Sequence, residues 1–219
     1  MPKNRITRKR NDTSSKERFV KKPKLSKKKA TTGEYKGIVY DSLEELAFLQ
    51  WASELKRAGY IRSITRSESF LLSESFTNDF VVQKGTSSKP SSQSLLQGHS
   101  YTPEFVIYWE RKARDKNLLW TETQQSKFDG LFITLKDDPL ATYIEIKPLW
   151  DQNNMERLFK INQKWMKQKF GIFVNLVKCP ELFEETFTPA EYLTTKTGRV
   201  RQIKWKIKTL YEYLNQRKS

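Results

Sequence analysis

The chain has 219 residues, of which 37% are apolar, and this suits one folded domain with a modest core. Its net charge is +16, from 41 Lys+Arg against 25 Asp+Glu, and such a charge predicts a polyanionic partner, with nucleic acid first. No run of about 18 apolar residues is present that could span a membrane. A single cysteine, Cys179, excludes an internal disulfide and a cysteine-based zinc cluster and indicates a reducing compartment, and we expect it to be a half-buried structural thiol.

Residues 1–33 are predicted to form a disordered basic arm, because thirteen Lys/Arg and two acidic residues give them +11 of the +16. We interpret the arm as a non-specific phosphate-binding segment. Its candidate DNA-binding residues are Lys9, Arg10, Lys21, Lys22, Lys27, Lys28 and Lys29. A solubilising tail or a nuclear-import signal would have the same composition. We predict a cytoplasmic location, in a bacterial or phage-infected host cell, and the basic arm leaves a nuclear location open.

The predicted core, residues 34–180, opens with a short strand and the helix "DSLEELAFLQWASELKRAG". Asp41 or Ser42 can cap this helix, with Glu44 or Glu45 as the capping-box partner, and Gly59 ends it. Strands are predicted over "YIRSITRSESFLL" and "FTNDFVVQ". The serine-rich segment 84–98 is predicted to be a mobile hairpin loop.

The next strand is "YTPEFVIYW", which begins at a proline as a strand can. An insertion follows over 111–138, with "LLWTET" and "FDGLFITL" as plausible strands. The strand "TYIEIKPLW", an amphipathic helix and the strand "GIFVNLVKC" complete the core, and the last strand is apolar enough to be central. The helix "NMERLFKINQKWMKQKF" has four apolar residues on one side: Leu158, Ile161, Trp165 and Met166.

Residues 181–219 are predicted to be a helical extension. Thr188 is the expected N-cap of a helix that starts at Pro189. A final basic helix carries four apolar residues at helical spacing: Ile203, Ile207, Leu210 and Leu214. The order of elements predicts an α/β (α+β) fold in which a mixed central β-sheet is flanked by helices.

The chemistry centres on Glu145 and Lys147, which lie two residues apart in a strand that is otherwise apolar. The pattern Glu-x-Lys occurs four times in the chain, so the pattern alone carries little weight. Alternation in a strand directs both side chains to one face. Buried charges cost several kcal/mol unless they are paired or bind a metal, and a surface salt bridge therefore explains this copy poorly.

Two further carboxylates can reach the same edge of the sheet. Glu104 follows Pro103 at the start of a separate apolar strand, and Glu45 lies in the first turns of the upstream helix. Three carboxylates and one lysine form a hard-oxygen site of the kind that Mg²⁺ selects. Lys147 would hold the attacking water and neutralise charge in the transition state.

Residues 36–178 resemble the PD-(D/E)XK nuclease superfamily. The motifs are the helical Glu45, Pro103-Glu104 at a strand, and Glu145-Ile146-Lys147 on the next core strand, followed by a helix and a strand. The segments Gly37 to Glu45 and Tyr101 to Tyr108 resemble small phage-type nucleases. The "YTPEF…EIKP" pair also resembles the nuclease subunit of certain transposases (TnsA type). The resemblance implies a restriction-endonuclease-like fold.

The resemblance also implies roles for single residues. The metal ligands would be Glu45, Glu104, Glu145 and the Ile146 backbone carbonyl, and Lys147 would be the catalytic lysine. Gln163 or Lys164 would be an auxiliary polar residue of the site. Two features depart from the family pattern: Glu104 stands where aspartate is usual, and the spacing to Glu145 is long. Asp129, within the insertion, is an alternative acid.

The resulting hypothesis is a Mg²⁺-dependent DNA endonuclease of phage or mobile-element type, for which Mn²⁺ can substitute. It would act in recombination, repair or processing, on branched or duplex DNA, as a homodimer or with recombination or transposition proteins. The alternatives are a non-catalytic DNA-binding protein on a degenerate form of the same fold, a TnsA-like transposase subunit, a packaging or scaffold protein, or ordinary salt-bridged charges on an α+β domain. Trp150 could stack on an unpaired base, although a buried tryptophan is the more frequent case.

Overall fold

The structure is a computed structural model that describes residues 32–114, 116–121, 140–150, 154–195 and 197–216. The predicted basic arm lies outside the described residues except for positions 32 and 33. The predicted insertion 111–138 is described only at 111–114 and 116–121. The predicted strand "FDGLFITL" and the alternative acid Asp129 lie outside the described residues.

The described strands are β1 (Gly33–Tyr35), β2 (Ile38–Tyr40), β3 (Ile61–Arg66), β4 (Phe70–Ser73), β5 (Phe76–Lys84), β6 (Ser87–Leu96), β7 (His99–Tyr101), β8 (Phe105–Trp109), β9 (Ala141–Ile146) and β10 (Val174–Val177). The described α-helices are α1 (Leu43–Arg57), α2 (Met155–Phe170), α3 (Cys179–Glu185) and α4 (Leu210–Gln216). Short 3-10 turns occur at Arg111–Ala113 and Ala190–Leu193. Within these ranges no helix is long and apolar enough to span a membrane.

Helix α1 begins where the sequence predicts, and Ser42 is the residue that caps it. Ser42 Oγ accepts a hydrogen bond from the Glu45 backbone N–H at 3.0 Å. The Glu45 carboxylate in turn accepts one from the Asp41 backbone N–H at 3.1 Å, so the two bonds form a variant of the capping box in which the return bond comes from the residue before the cap. The helix ends at Arg57, and Gly59 follows with a φ of +71°, a left-handed conformation open to glycine.

Four strands form the central sheet, in the order β10-β9-β8-β3. β8 is antiparallel to both β3 and β9, while β9 is parallel to β10. Parallel neighbours need a long crossover connection, and α2 supplies it between β9 and β10. The chain is therefore an α+β protein with a mixed central sheet, as predicted.

The sheet separates two apolar layers because successive side chains of a strand point to opposite faces. Ile107 of β8 and Ile144 of β9 belong to the core that contains α1. Their neighbours Val106 and Tyr143 belong to a second core, to which α2 contributes Met166. Helices α1 and α2 therefore cover opposite faces of the sheet.

The prediction of a loop over 84–98 is wrong, because most of this segment is a strand. β6 pairs with β5 from Phe76↔Leu96 to Lys84↔Ser87, and only Gly85 and Thr86 lie between the paired ends. Both faces of this ribbon are largely exposed, so serine is compatible with the strand. The serine-rich composition suggested a loop because composition does not show which strand will supply the backbone hydrogen bonds.

Helix α2 is confirmed, but its buried side is rotated from the predicted one. Three of the four apolar residues expected to be buried are exposed: Leu158, Ile161 and Trp165. The residues that are buried are Phe159, Asn162 and Met166. Asn162 is buried because its Oδ1 contacts His99 Nε2 of β7 at 2.9 Å, a partner that helical periodicity could not indicate.

The first part of the C-terminal extension has less helix than predicted. Thr188 does not cap a helix, and Pro189 instead precedes the 3-10 turn Ala190–Leu193 without a side-chain cap bond. The Thr188 Oγ1 accepts a hydrogen bond from Trp205 Nε1 at 3.0 Å. This long-range contact occupies the hydroxyl that the prediction assigned to capping.

The final helix is also shorter than predicted. α4 begins only at Leu210, so Ile203 and Ile207 precede it. Thr209 marks the start, because its Oγ1 accepts from the Glu212 N–H at 3.2 Å while Glu212 Oε2 accepts from the Thr209 N–H at 2.7 Å. This local capping box stops the helix from extending further back.

Three smaller expectations also change. Residues 118–121 of "LLWTET" form no strand. β10 is buried as predicted, yet within the described residues it is an edge strand of the central sheet. Cys179 was expected to be half-buried and is fully buried. Burial raises the pKa of its thiol well above its usual range, which makes it a structural thiol.

Phe48 should be the side chain that most directly ties α1 to the sheet. It is fully buried and stacks on Trp51 and on Phe105 of β8, with ring centroids 5.4 and 5.9 Å apart. We expect Phe48→Ala to lower the free energy of unfolding by about 3–5 kcal/mol in urea titrations. Leu43→Ala, on the same helix but 45% exposed, should cost no more than about 1 kcal/mol; equal losses would contradict this role for Phe48.

Candidate active site

Glu104 and Glu145 lie side by side because β8 and β9 are antiparallel. Glu104 immediately precedes β8 and Glu145 is the penultimate residue of β9, so the start of one strand meets the end of the other. The Glu104 backbone N–H donates to Ile144 O at 3.0 Å, and Glu104 Oε2 accepts from the Ile146 N–H at 2.6 Å. The two motifs recognised in the sequence are thus in direct contact.

Glu145 is held at both of its carboxylate oxygens. Lys147 Nζ donates to Glu145 Oε1 at 2.5 Å, and the Tyr101 hydroxyl donates to Glu145 Oε2 at 2.8 Å. Glu145 is only 6% exposed, and the Lys147 side chain is 14% exposed. Glu145 and Lys147 lie on one face, as predicted, and they form a largely buried ion pair, which was not predicted.

Glu45 approaches the same site from the other side of the sheet, at the start of α1. It is 4% exposed, and its Oε2 lies 2.8 Å from Arg66 Nη2. Arg66 also bonds Asp41 Oδ2 at 2.8 Å and the Val39 carbonyl at 2.9 Å. Glu45 is therefore both the capping-box partner of α1 and the ion-pair partner of an arginine on β3.

The three carboxylates, which we call the carboxylate cluster (Glu45, Glu104 and Glu145), influence one another electrostatically. Burial raises the pKa of Glu104 well above its usual range, and the charges of Glu145 and Glu45 raise it further. Lys147 and the Ile146 N–H oppose this rise without cancelling it. The fold therefore favours the protonated, neutral form of Glu104.

Two residues of the site escaped the sequence analysis. Tyr101 opens the segment that resembles phage-type nucleases, but nothing in that pattern assigned it a role. Burial first, and then Glu145, raise the pKa of Tyr101 above its usual range, so its hydroxyl remains a hydrogen-bond donor. No sequence pattern indicated that Arg66 belongs to the site, because its three partners lie at least 21 residues away in the chain.

The carboxylate cluster is not preassembled as a metal centre. In the part of the chain that the structure describes, no group of three or more His, Cys, Asp or Glu side chains is arranged to hold a metal ion. Each carboxylate instead faces its own donor: Ile146 N–H for Glu104, Lys147 and Tyr101 for Glu145, and Arg66 for Glu45.

The auxiliary residues predicted on α2 do not join the cluster. Gln163 Nε2 donates to the backbone carbonyl of Val174 at 2.6 Å. Val174 is the first residue of β10, whereas the carboxylate cluster lies toward the other end of that strand. Lys164 is exposed on the outer side of α2. The seven basic residues predicted to bind DNA in the arm (positions 9, 10, 21, 22 and 27–29) lie outside the described residues.

Trp150 is exposed, whereas a buried tryptophan was the more frequent case. It is 77% exposed, three residues after Lys147. The indole is therefore available to a partner beside the carboxylate cluster.

No family model, curated protein or solved structure matches this chain. The function is therefore inferred from the residues and their geometry.

The raised pKa of Glu104 predicts the sign of a pH dependence. Between 4.5, its ordinary value, and its raised value in the fold, the folded chain holds a proton that the unfolded chain releases. The free energy of unfolding should then fall as pH rises through this window. In EDTA, Glu104→Gln should melt at a higher temperature than the native chain at pH 8, and the difference should shrink toward pH 4.5.

Thermal melts at several pH values between 4.5 and 8 would measure this difference. Glu34→Gln, which changes an exposed glutamate, serves as the control and should show no such pH-dependent gain. A Glu104→Gln variant that is less stable than the native chain at pH 8 would show that the bond from Ile146 outweighs the repulsion.

Proposed function

We propose that the chain is a metal-dependent DNA endonuclease of the PD-(D/E)XK type with a restriction-endonuclease-like core. The observation that carries the proposal is the buried Glu145–Lys147 pair at the end of β9, with Glu104 bonded to the residue between them. A structural salt bridge between Glu145 and Lys147 would not need a second carboxylate at the same point, since that carboxylate adds repulsion.

The order of elements supports the same proposal. α1 carries Glu45, β8 follows Glu104, β9 contains Glu145, and α2 and β10 come next. This is the order that the resemblance implies, and β8 and β9 are neighbours in the central sheet. The net charge of +16 favours a polyanionic substrate such as DNA.

The donor set of the carboxylate cluster suits a hard divalent cation. Carboxylate oxygens and a backbone carbonyl are the ligands that Mg²⁺ and Mn²⁺ prefer. Burial and the charges of Glu145 and Glu45 raise the pKa of Glu104, and a bound dication would oppose this rise by favouring the ionised carboxylate. Glu104, Glu145 and the Ile146 carbonyl would hold the ion. Glu45 would become a further ligand if its carboxylate gave up the ion pair with Arg66 and bound the ion instead. When bound, the ion would supply Lewis-acid chemistry to a phosphodiester.

The chain's own residues would orient the reactants. Lys147 would hold the attacking water and present positive charge to the scissile phosphate, where negative charge develops. Glu145 would keep the ammonium in place through the 2.5 Å contact. Tyr101 would fix the Glu145 carboxylate from the other side, so that the strand end is preorganised before DNA binds.

A second candidate is a non-catalytic DNA-binding protein that keeps this fold. Two observations favour it: Glu104 stands where the family has aspartate, and every carboxylate of the cluster already has a protein donor. In this case the carboxylate cluster would be a structural ion-pair network, and DNA would bind only through the lysine and arginine residues of the chain.

Plasmid nicking distinguishes the two candidates. The purified chain should relax supercoiled plasmid with Mg²⁺ or Mn²⁺, and EDTA should abolish the reaction. Lys147→Ala should lower the rate by about 100-fold or more, because it removes a donor to developing charge. Lys56→Ala, at the far end of α1, should leave the rate unchanged. Intact plasmid together with normal DNA binding would support the non-catalytic candidate.

Tyr101→Phe should show whether the Tyr101 hydroxyl positions the Glu145 carboxylate or only contributes to the stability of the fold. Loss of the hydroxyl leaves one oxygen of Glu145 unbonded, and we expect a loss of about 10- to 100-fold in Mn²⁺ affinity or activity. Stabilisation of the fold by Mn²⁺ in thermal melts gives a readout that needs no cleavage. Tyr108→Phe, on β8, is the control, and an equal effect of both variants would contradict a specific role for Tyr101.

A further inference from the structure

Trp150 is an exposed aromatic side chain directly beside the candidate active site. The segment Pro148–Trp150 follows Lys147, and both Leu149 and Trp150 are exposed, at 42% and 77%. Three residues span at most about 11 Å, so the indole lies within reach of a nucleotide that flanks a phosphate at Lys147.

The other five tryptophans contact the folded chain. Trp51 and Trp109 are fully buried, and Trp120 and Trp205 pack against the same core. Trp165 meets the His99 ring edge-to-face, with centroids 5.7 Å apart. Trp150 thus leaves far more of its side chain in solvent than the tryptophans that serve the core, and with the exposed Leu149 beside it this segment offers an apolar surface to a partner.

Helix α2 adds a basic stripe to the same region. Arg157, Lys160 and Lys164 are exposed and follow one another at helical spacing, opposite the buried Phe159 and Met166. Within the described part of the chain, none of the three basic side chains forms an ion pair. Their charge is therefore available to phosphates.

One hydrogen bond and one ion pair connect the edge that carries Lys147, through the end of β10, to the start of α2. The Lys147 backbone N–H donates to Val177 O at 3.0 Å at the end of β10. The next residue, Lys178, pairs at 2.8 Å with Glu156 in the first turn of α2. The basic stripe therefore starts at the same edge and runs away from it along the helix.

We propose that Trp150, Arg157, Lys160 and Lys164 form a binding surface for single-stranded DNA, which we call the strand surface. An unpaired base would stack on Trp150, and the phosphates of the same strand would follow the basic stripe. In a duplex both faces of a base are already stacked, so the indole has no base to receive. The substrate class would be DNA with unpaired nucleotides next to the cleaved bond, such as forks, flaps or gaps. This inference rests on the proposed function for its choice of DNA as partner.

The test is a binding measurement in EDTA, so that it does not depend on cleavage. Fluorescence anisotropy of the full chain would compare a labelled single strand, a fork and a blunt duplex at 200 mM salt, which weakens non-specific contacts from the rest of the basic chain. Trp150→Ala should raise the Kd for the single strand and the fork by about 5- to 150-fold, the range for loss of one stacked base. Trp150→Phe should retain most of the affinity, and the duplex Kd should change less than about twofold.

The basic stripe has its own readout in the salt dependence. For the single strand, Lys160→Gln/Lys164→Gln should lower the slope of log Kd against log salt by about 1.4, the value for two lost phosphate contacts. Lys56→Gln, also exposed on a helix but at the far end of α1, should leave the slope unchanged.

Three results would overturn the strand surface: no binding of single-stranded DNA by the native chain, equal losses on duplex and single strand with Trp150→Ala, or an unchanged Kd. Circular dichroism melts of each variant exclude unfolding as the cause of any loss. The nuclease proposal fails separately, by intact plasmid with Mg²⁺. A chain that binds forks through Trp150 and cuts nothing would keep the strand surface and favour the non-catalytic candidate.

Discussion

The antiparallel pairing of β8 with β9 is the constraint on which the candidate site depends. It places the start of β8 beside the end of β9. Glu104 therefore bonds to Ile146, between Glu145 and Lys147. A shift of one residue in this register would turn Glu145 to the opposite face of the sheet, toward the core that contains α1. The apolar neighbours Val106 and Tyr143 oppose that shift, because they fill the layer under α2.

This arrangement creates an electrostatic problem that the surrounding structure only partly relieves. Three carboxylates lie near one another, and Lys147, Arg66, Tyr101 and a backbone N–H serve as their donors. The pKa of Glu104 nevertheless remains raised by burial and by its two acidic neighbours. Carboxyl groups whose pKa is raised by burial and by like charges cluster at functional sites, and a bound cation would favour the ionised form of Glu104.

The basic and aromatic residues are arranged around this edge in a way that suits a nucleic-acid partner. Helix α2 buries Phe159 and Met166 and turns its basic stripe to solvent, while its first turn is fastened to the end of β10 by Glu156 and Lys178. Trp150 stands between the catalytic candidates and this helix along the chain. The β5–β6 ribbon, by contrast, exposes both faces and carries few charges, so charge does not indicate what it binds.

The sequence by itself determined the parts that depend on local chemistry: the start of α1 after Asp41 or Ser42, the strand that follows Glu104, the strand that contains Glu145, the helix α2, and the placement of Glu145 and Lys147 on one face. Capping and alternation are short-range, so they can be read from neighbouring residues. Only the tertiary structure decided that 84–98 is a strand, that Trp150 is exposed, which side of α2 is buried, and that Tyr101 and Arg66 hold the carboxylates. Each of these depends on a partner far away in the chain, such as β5 for β6 or Glu45 for Arg66, and no local pattern encodes where that partner will lie.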